Sequence, residues 1–371
     1  MRLTPTFAAL VSAVLAYSTQ ASTLDATLAQ ALNGTNTPAI AALEIRDGKV
    51  VAQAAHGLRR SDRRGAVQIS DVWATGSDAK PMTAAMIARL VDRGVLSWDT
   101  PLSAMLPELA ADMQPAYRNV TLVQLLSHRA GLPHDASDMD FIASFFHDAR
   151  PLPAQRLAYL RRALAESPET VPGQQFSYSN TGFVVAAAVA ERATGTSYET
   201  LMQREVFTPL GMKSARFAPT HDGEPLGHRN GKPIAAIETA DDGNPLMLAP
   251  AGAELHLNLA DWAKFCIDQL AGARGQGKLL TEKSYHLMQT PQGGDGNGGG
   301  LGWGIQDSVA KHKGPVLVHA GSDGNWYALV ALFPGSNSGA LIAANAGKDM
   351  GADTAARNVF RAIVPELSPA Q

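Results

Sequence analysis

The 371-residue chain has one cysteine, Cys266, and only 6% aromatic residues. A lone thiol has no internal disulfide partner. It stands in the apolar stretch Asp261-Trp262-Ala263-Lys264-Phe265-Cys266-Ile267, so it reads as a small core residue and not as a nucleophile. Charge is scarce as well. Charged residues make up 18% of the chain, with 31 basic against 34 acidic and a formal net of −3. That balance lacks the positive field that attracts polyanions, so no nucleic-acid partner is expected. The densest basic run, Arg59, Arg60, Arg63 and Arg64 around Asp62, reads as a solvated turn between two strand-like stretches. Long hydrophobic runs are missing too. The apolar run Phe7 to Tyr17 has 11 residues, well below the roughly 20 that a membrane-spanning helix needs, so no membrane span is expected.

Several chemical signatures are also absent. The ten histidines include no H-E-x-x-H, and His128 and His134 flank a proline-containing turn that would not present them on one helical face. Most of the ten therefore read as surface or capping residues, and no metal is expected. No G-x-S-x-G elbow occurs. G-x-G-x-x-G is formally present at Gly294, Gly296 and Gly299, but it neither follows a strand nor opens a helix, and no G-K-[ST] exists. Residues 293–304 are read as a flexible surface loop, and no cofactor is expected.

What is present is a core-forming composition, 45% hydrophobic with no internal repeat. Arg2, the short apolar run and the exit Ser18-Thr19-Gln20-Ala21-Ser22 have the three parts of a secretory signal peptide. Residues 1–21 are therefore expected to be removed after Ala21 on export, leaving a mature domain of 22–371. No cysteine follows that site, so a lipid anchor is not indicated. Ile40 to Ile45 and Val50 to Ala55 read as a hairpin around Asp47-Gly48. Helical periods follow at Met82 to Asp92, Leu122 to Ser127, Leu157 to Glu166, Thr181 to Ala193 and Tyr198 to Phe207. Residues 213–250 carry no clear pattern. After a helix near 259–271, strands return at Gly302 to Gln306, Val316 to His319, Trp326 to Leu332 and Ala340 to Asn345. A last helix spans Asp353 to Ile363. Strands at both ends with helices between them predict one α/β body from 23–76 and 250–371, with a helical part over 77–249.

Three short motifs carry chemistry. Ser77-Asp78-Ala79-Lys80 opens a helix, and spacing of three places the Lys80 amine one turn from the Ser77 hydroxyl. A serine needs a base to become a nucleophile, and a desolvated lysine can be that base. Tyr178-Ser179-Asn180 precedes the helix at Thr181. A phenol beside a cation could stay partly ionised and shuttle protons, while the Asn180 amide could hold a substrate carbonyl and the lysine. His319-Ala320-Gly321-Ser322 ends a strand. Gly321 lets a substrate lie against the strand edge, and the next N–H can help bind an oxyanion. Each spacing recurs elsewhere, at Ser308/Lys311, Tyr117/Asn119 and His221/Gly223.

Taken together, the chain resembles the serine β-lactamase and penicillin-binding-protein superfamily. It is most similar to the branch of class C β-lactamases, DD-peptidases and carboxylesterases, over about residues 35–350. Further blocks carry the likeness: Leu125 to Pro133, Pro172-Gly173, Pro209 to Met212, Pro250 to Ala253, Gly302-Trp303-Gly304 and Asn345. The resemblance implies an α/β (α+β) transpeptidase-like fold with an antiparallel sheet, and the active site at the junction of its two parts. It implies Ser77 as the acylated nucleophile, Lys80 as its activating partner and Tyr178 as general acid/base. Asn180, His319 and Gly321 would contact the substrate, and the backbone N–H groups of Ser77 and Ser322 would form the oxyanion hole. The third motif departs from the Lys-Ser/Thr-Gly of β-lactamases. His319 replaces a permanent charge, and Ala320 lacks the hydroxyl that helps hold a substrate carboxylate, unless the Ser322 hydroxyl or an arginine replaces it. The expected partner is a small-molecule or peptide acyl substrate. An esterase or broad acyl hydrolase ranks first, then a DD-peptidase or D-amino-acyl hydrolase, then a β-lactamase. A non-catalytic module that binds cell-wall fragments is the rival from another class.

Overall fold

A computed structural model describes residues 20–221, 223–293 and 298–367. The expected leader, except its last two residues, and the middle of the glycine-rich stretch lie outside the described residues. A six-stranded antiparallel sheet organises the fold. Its strands are β1 (Ala39–Arg46), β2 (Lys49–Gly57), β3 (Gly304–Val309), β4 (His312–Ser322), β5 (Tyr327–Phe333) and β6 (Ser338–Ala344). Their spatial order is β2-β1-β6-β5-β4-β3, with Ile40 opposite Ala344 and Ala328 opposite Gly321. The two ends of the chain thus share one sheet.

Side-chain alternation along the central strands separates two cores. Ile40, Ala42, Ile342 and Ala344 face a layer containing Leu24 and Leu28 of helix α1 (residues 20–32) and Ala355, Ala356 and Val359 from near the C-terminus. Ala41, Leu43, Leu341 and Ala343 face the other way, toward Trp262, Phe265 and Cys266 and the remaining helices. Cys266 is a buried free thiol, as its setting predicts. The longer helices after α1 are α2 (Lys80–Asp92), α3 (Leu152–Ala163), α4 (Asn180–Thr194), α5 (Leu259–Gly272) and α6 (Ala352–Ile363). No helix among the described residues is long and apolar enough to cross a membrane.

The β1–β2 turn shows why local sequence was informative. Asp47 and Gly48 both have positive φ, 48° and 68°, as a two-residue hairpin turn requires. Strands β3 and β4 run further than hydrophobicity suggested. Asp307, Ser308, Lys313 and Gly314 are exposed on an edge, where polar residues are tolerated, and the register shifts between Gln306 and Ser308 near Pro315. The unpatterned 213–250 region contributes Arg216–Phe217 to a small sheet with Trp73–Ala74 and Leu255–Leu257. It also holds a hairpin of Gly227–Arg229 with Lys232–Ile234. Leu255–Leu257 pairs with the strand just before Ser77, which draws the segment carrying Ala251 against the start of α2.

Candidate active site

Ser77 lies in a 3₁₀ turn, Gly76–Ala79, that feeds into α2 with Pro81 in its first turn, where a missing N–H costs nothing. Strand β4 presses on this turn. A Cβ on Gly321 would stand 2.0 Å from the Thr75 carbonyl oxygen and 2.7 Å from the Ser77 nitrogen, and one on Gly76 would stand 2.7 Å from the Ser322 nitrogen. Only glycine permits so close an approach, and it brings the backbone N–H groups of Ser77 and Ser322 into one neighbourhood. On the other side, a Cβ on Gly252 would stand 2.1 Å from the Gly76 oxygen.

Lys80 is fully buried. Its Nζ donates to Ser77 Oγ at 3.0 Å, to Asn180 Oδ1 at 2.8 Å and to the Ala251 carbonyl at 2.7 Å. Burial pushes the amine from 10.5 down to about 7, against the opposing pull of Asp135 and Asp78. Asn180 opens α4, where the Ser179 side chain caps Gly182 N–H at 3.1 Å. The Asn180 amide also donates to both Asp135 oxygens at 3.2 Å, which fixes its carbonyl toward Lys80. Asp135 belongs to none of the three motifs and follows the Leu125 to Pro133 block by two residues, the one sequence feature that points to it.

Tyr178 makes a side-chain hydrogen bond with Ser77, and burial pushes its phenol up to about 12. Lys80 Nζ lies 4.9 Å from its ring centroid. The expectation of a partly ionised phenol is therefore corrected: burial, helped by the charges of Asp78 and Asp135, outweighs the hydrogen bond from Ser77, and Tyr178 is neutral at pH 7. His128 stacks on Tyr178 at 4.3 Å and accepts from Ser179 N–H at 3.0 Å. Burial holds it well below the usual histidine range. His128, His228, His256 and His312 are all buried, so the surface or capping reading of most histidines holds only in part. Among the described residues no group of three or more His, Cys, Asp or Glu could hold a metal ion.

His319 borders a cavity of about 260 Å³ with His128, Phe176, Tyr178, Trp303 and Ala320. Its side chain is only 8% exposed, and Nδ1 lies 3.2 Å from Oδ1 of the fully buried Asp78 carboxylate. One ring nitrogen thus faces an internal carboxylate, a contact that the H-x-G spacing does not reveal. The Ser322 hydroxyl does not replace the one missing at Ala320. It donates to the Trp326 carbonyl at 2.8 Å and accepts from Gly324 N–H at 3.1 Å, closing the β4–β5 turn. The three recurring spacings fall elsewhere: Ser308 and Lys311 belong to the β3–β4 hairpin, Tyr117 is buried in the core, and His221 is exposed.

Two buried side chains hold the wall behind Lys80. Arg156 donates to the Met247 carbonyl at 3.0 Å and pairs with Glu191 and Glu199. Thr83 lies 2.8 Å from the Tyr198 hydroxyl and donates to the Pro250 carbonyl at 3.0 Å. Both fasten residues 246–251, so the segment that carries the Ala251 carbonyl is held by α2 and α3.

Comparison with known proteins bears on the family and the fold. The Beta-lactamase family model matches residues 24–363. Penicillin-binding protein 4 of Amycolatopsis lactamdurans is 28% identical over 324 residues, 82% of this chain and 79% of that protein. The D-alanyl-D-alanine-carboxypeptidase/endopeptidase AmpH of Escherichia coli K12 is 25% identical over 315 residues, 81% and 78% of the two chains. Esterase EstB of Burkholderia gladioli is 32% identical over 222 residues, 55% and 56% of the two. The octameric penicillin-binding protein homologue from Pyrococcus abyssi shares the fold, with a TM-score of 0.74 at 21% identity, covering 94% of this chain and 77% of that one.

Proposed function

The chain belongs to the Beta-lactamase family and is a serine hydrolase of it, and from that premise we propose that it cleaves acyl substrates through an acyl-enzyme on Ser77. One observation carries the assignment of roles. Two of the three acceptors around Lys80 Nζ, Asn180 Oδ1 and the Ala251 carbonyl, cannot donate. When Lys80 is neutral, its two N–H bonds go to those two and its lone pair faces the Ser77 hydroxyl. An amine near pH 7 in that orientation takes the Ser77 proton as Oγ attacks the acyl carbon.

The oxyanion that forms is met by the N–H groups of Ser77 and Ser322. Tyr178, neutral and hydrogen-bonded to Ser77, passes a proton to the departing alcohol or amine, which leaves as the carbonyl re-forms. Water then attacks the Ser77 ester with Lys80 and Tyr178 in the reverse roles, releasing the carboxylic acid and restoring the hydroxyl. Asn180 orients the acyl group, and His319 and Gly321 form the floor and edge along which it lies.

The substrate class is an ester or a broad range of acyl compounds. Ala320 lacks a hydroxyl and that of Ser322 is engaged in its turn, so the carboxylate of a β-lactam or a D-Ala-terminated peptide loses a contact worth about 1.5–3 kcal/mol. A panel of p-nitrophenyl esters, nitrocefin and D-Ala-terminated peptides tests this ranking. Higher kcat/KM on either carboxylate-bearing class than on the esters would reverse it. The leader-like segment at 1–21 supports export, for which fractionation of expressing cells and N-terminal sequencing of the mature protein, expected to start at Ser22, is the check.

A further inference from the structure

Beside the nucleophile turn there is a second, narrow crevice of about 20 Å³, bordered by Thr220, Ile237, Glu254, His256, Asn325 and Trp326. Its position follows from the backbone. Glu254 lies between Gly252, packed on Gly76 and Ser77, and Leu255, whose carbonyl accepts from Thr75 N–H at 3.1 Å. Asn325 comes three residues after Ser322, in the turn that Ser322 closes. The two segments that flank Ser77 thus wall the crevice.

Its polar lining is unbalanced. Glu254 is 9% exposed and Asn325 is 0% exposed. Glu254 Oε2 and Asn325 Oδ1 are both buried without any hydrogen-bond donor. The Asn325 amide nitrogen is committed to the Asp242 carbonyl, and its oxygen is left without a donor. His256 cannot supply a cation there, because burial lowers it to about 4 and its Nδ1 is turned to the Glu254 carbonyl at 3.2 Å. Asp323 adds further negative charge near Glu254, which burial first and Asp323 second raise to about 7. Glu254 also has φ of +57°, a costly conformation for a side chain this large, and such strain gathers at functional sites. Two buried oxygens without a partner are expensive, and a bound ammonium would supply the missing donors while drawing Glu254 into its charged form. The space suits one small group with several N–H bonds, such as an ammonium.

We propose that Glu254 and Asn325 form a subsite for a primary ammonium carried on the acyl portion of the substrate, so that the enzyme favours aminoacyl esters and amides over uncharged acyl compounds. The inference rests on acylation of Ser77 and names the substrate class of that same site. Asn325 accepts one N–H of the ammonium, Glu254 accepts a second and balances the charge, and the acyl carbon is presented to Ser77.

The test compares methyl esters of glycine, D-alanine and β-alanine with their N-acetyl counterparts, on the full chain and on Glu254→Gln. The substitution keeps the side-chain volume and removes the charge. The wild type should favour at least one free amine over its acetylated form by tenfold or more in kcat/KM, and Glu254→Gln should lower that ratio at least tenfold. A second measurement needs no variant: methylammonium should inhibit turnover of the aminoacyl ester competitively, while methanol at equal concentration should not. A ratio near one in the wild type, a ratio unchanged in Glu254→Gln, or no competition by methylammonium would overturn the subsite and leave a crevice that holds water only. If no ester of either kind acylates Ser77 in the wild type, the hydrolase mechanism itself fails, which mass analysis shows separately.

Discussion

Replacing Asp135 by asparagine probes how the charge on Lys80 is set. Asp135 and Lys80 are joined through the Asn180 amide, by contacts of 3.2 Å on one side and 2.8 Å on the other. Adding the width of the amide places the two charges roughly 7–8 Å apart. Their attraction is then about 0.5–2 kcal/mol for an effective dielectric between bulk water and a protein surface, or about 0.4–1.5 pH units. Asp135 opposes the burial that brings Lys80 to about 7. In Asp135→Asn the introduced amide oxygen can still accept from the Asn180 amide, so the substitution removes charge while keeping the contact. The rising limb of kcat/KM against pH for a neutral ester should have its midpoint near 7 in the wild type. In Asp135→Asn it should move to lower pH by about half a unit or more, because the ammonium loses a stabilising partner. An unmoved or upward-moving limb would refute the assignment of that limb to Lys80, and with it the electrostatic account of the base.

Other outcomes follow from the same geometry. Tyr178→Phe should slow hydrolysis of an alkyl ester about 10²–10⁴-fold, and that of a p-nitrophenyl ester much less, because a good leaving group needs no proton; equal losses on both would remove Tyr178 as the acid. Gly321→Ala must push a Cβ into the Thr75 carbonyl at 2.0 Å, so thermal unfolding should show a loss of about 1–3 kcal/mol together with a fall in activity; an unchanged Tm and rate would contradict the packing of β4 on the nucleophile turn. His319→Lys combined with Ala320→Thr should raise kcat/KM on carboxylate-bearing substrates relative to neutral esters by more than about twofold. A ratio that stays put would mean these two positions do not set specificity.

The legible parts of this protein were those in which a few adjacent residues decide the outcome. The Asp47-Gly48 turn, the central strands and the S-x-x-K, Y-x-N and H-x-G spacings are local, and the structure links Ser77, Lys80, Tyr178 and Asn180 by hydrogen bonds and sets Tyr178 and His319 on one cavity. What sequence reading missed depends on long-range contact. Asp135 matters because it lies against Asn180, 45 residues away in sequence, and Asp78 because β4 brings His319 beside it. Burial was equally hidden. Whether Tyr178 is ionised turns on how far burial outweighs its hydrogen bond with Ser77, and no spacing encodes that balance. Residues 213–250 carried no pattern because their strands are two or three residues long and pair with segments remote in sequence or with each other.

Covalent capture of the acyl-enzyme bears most directly on the central claim. The purified protein should be mixed with an activated ester, quenched in acid within one turnover, digested and mapped by mass spectrometry. The account predicts an acyl adduct on Ser77 that decays as product appears, and no adduct in Ser77→Ala. An adduct on another residue, or steady turnover by Ser77→Ala, would contradict it.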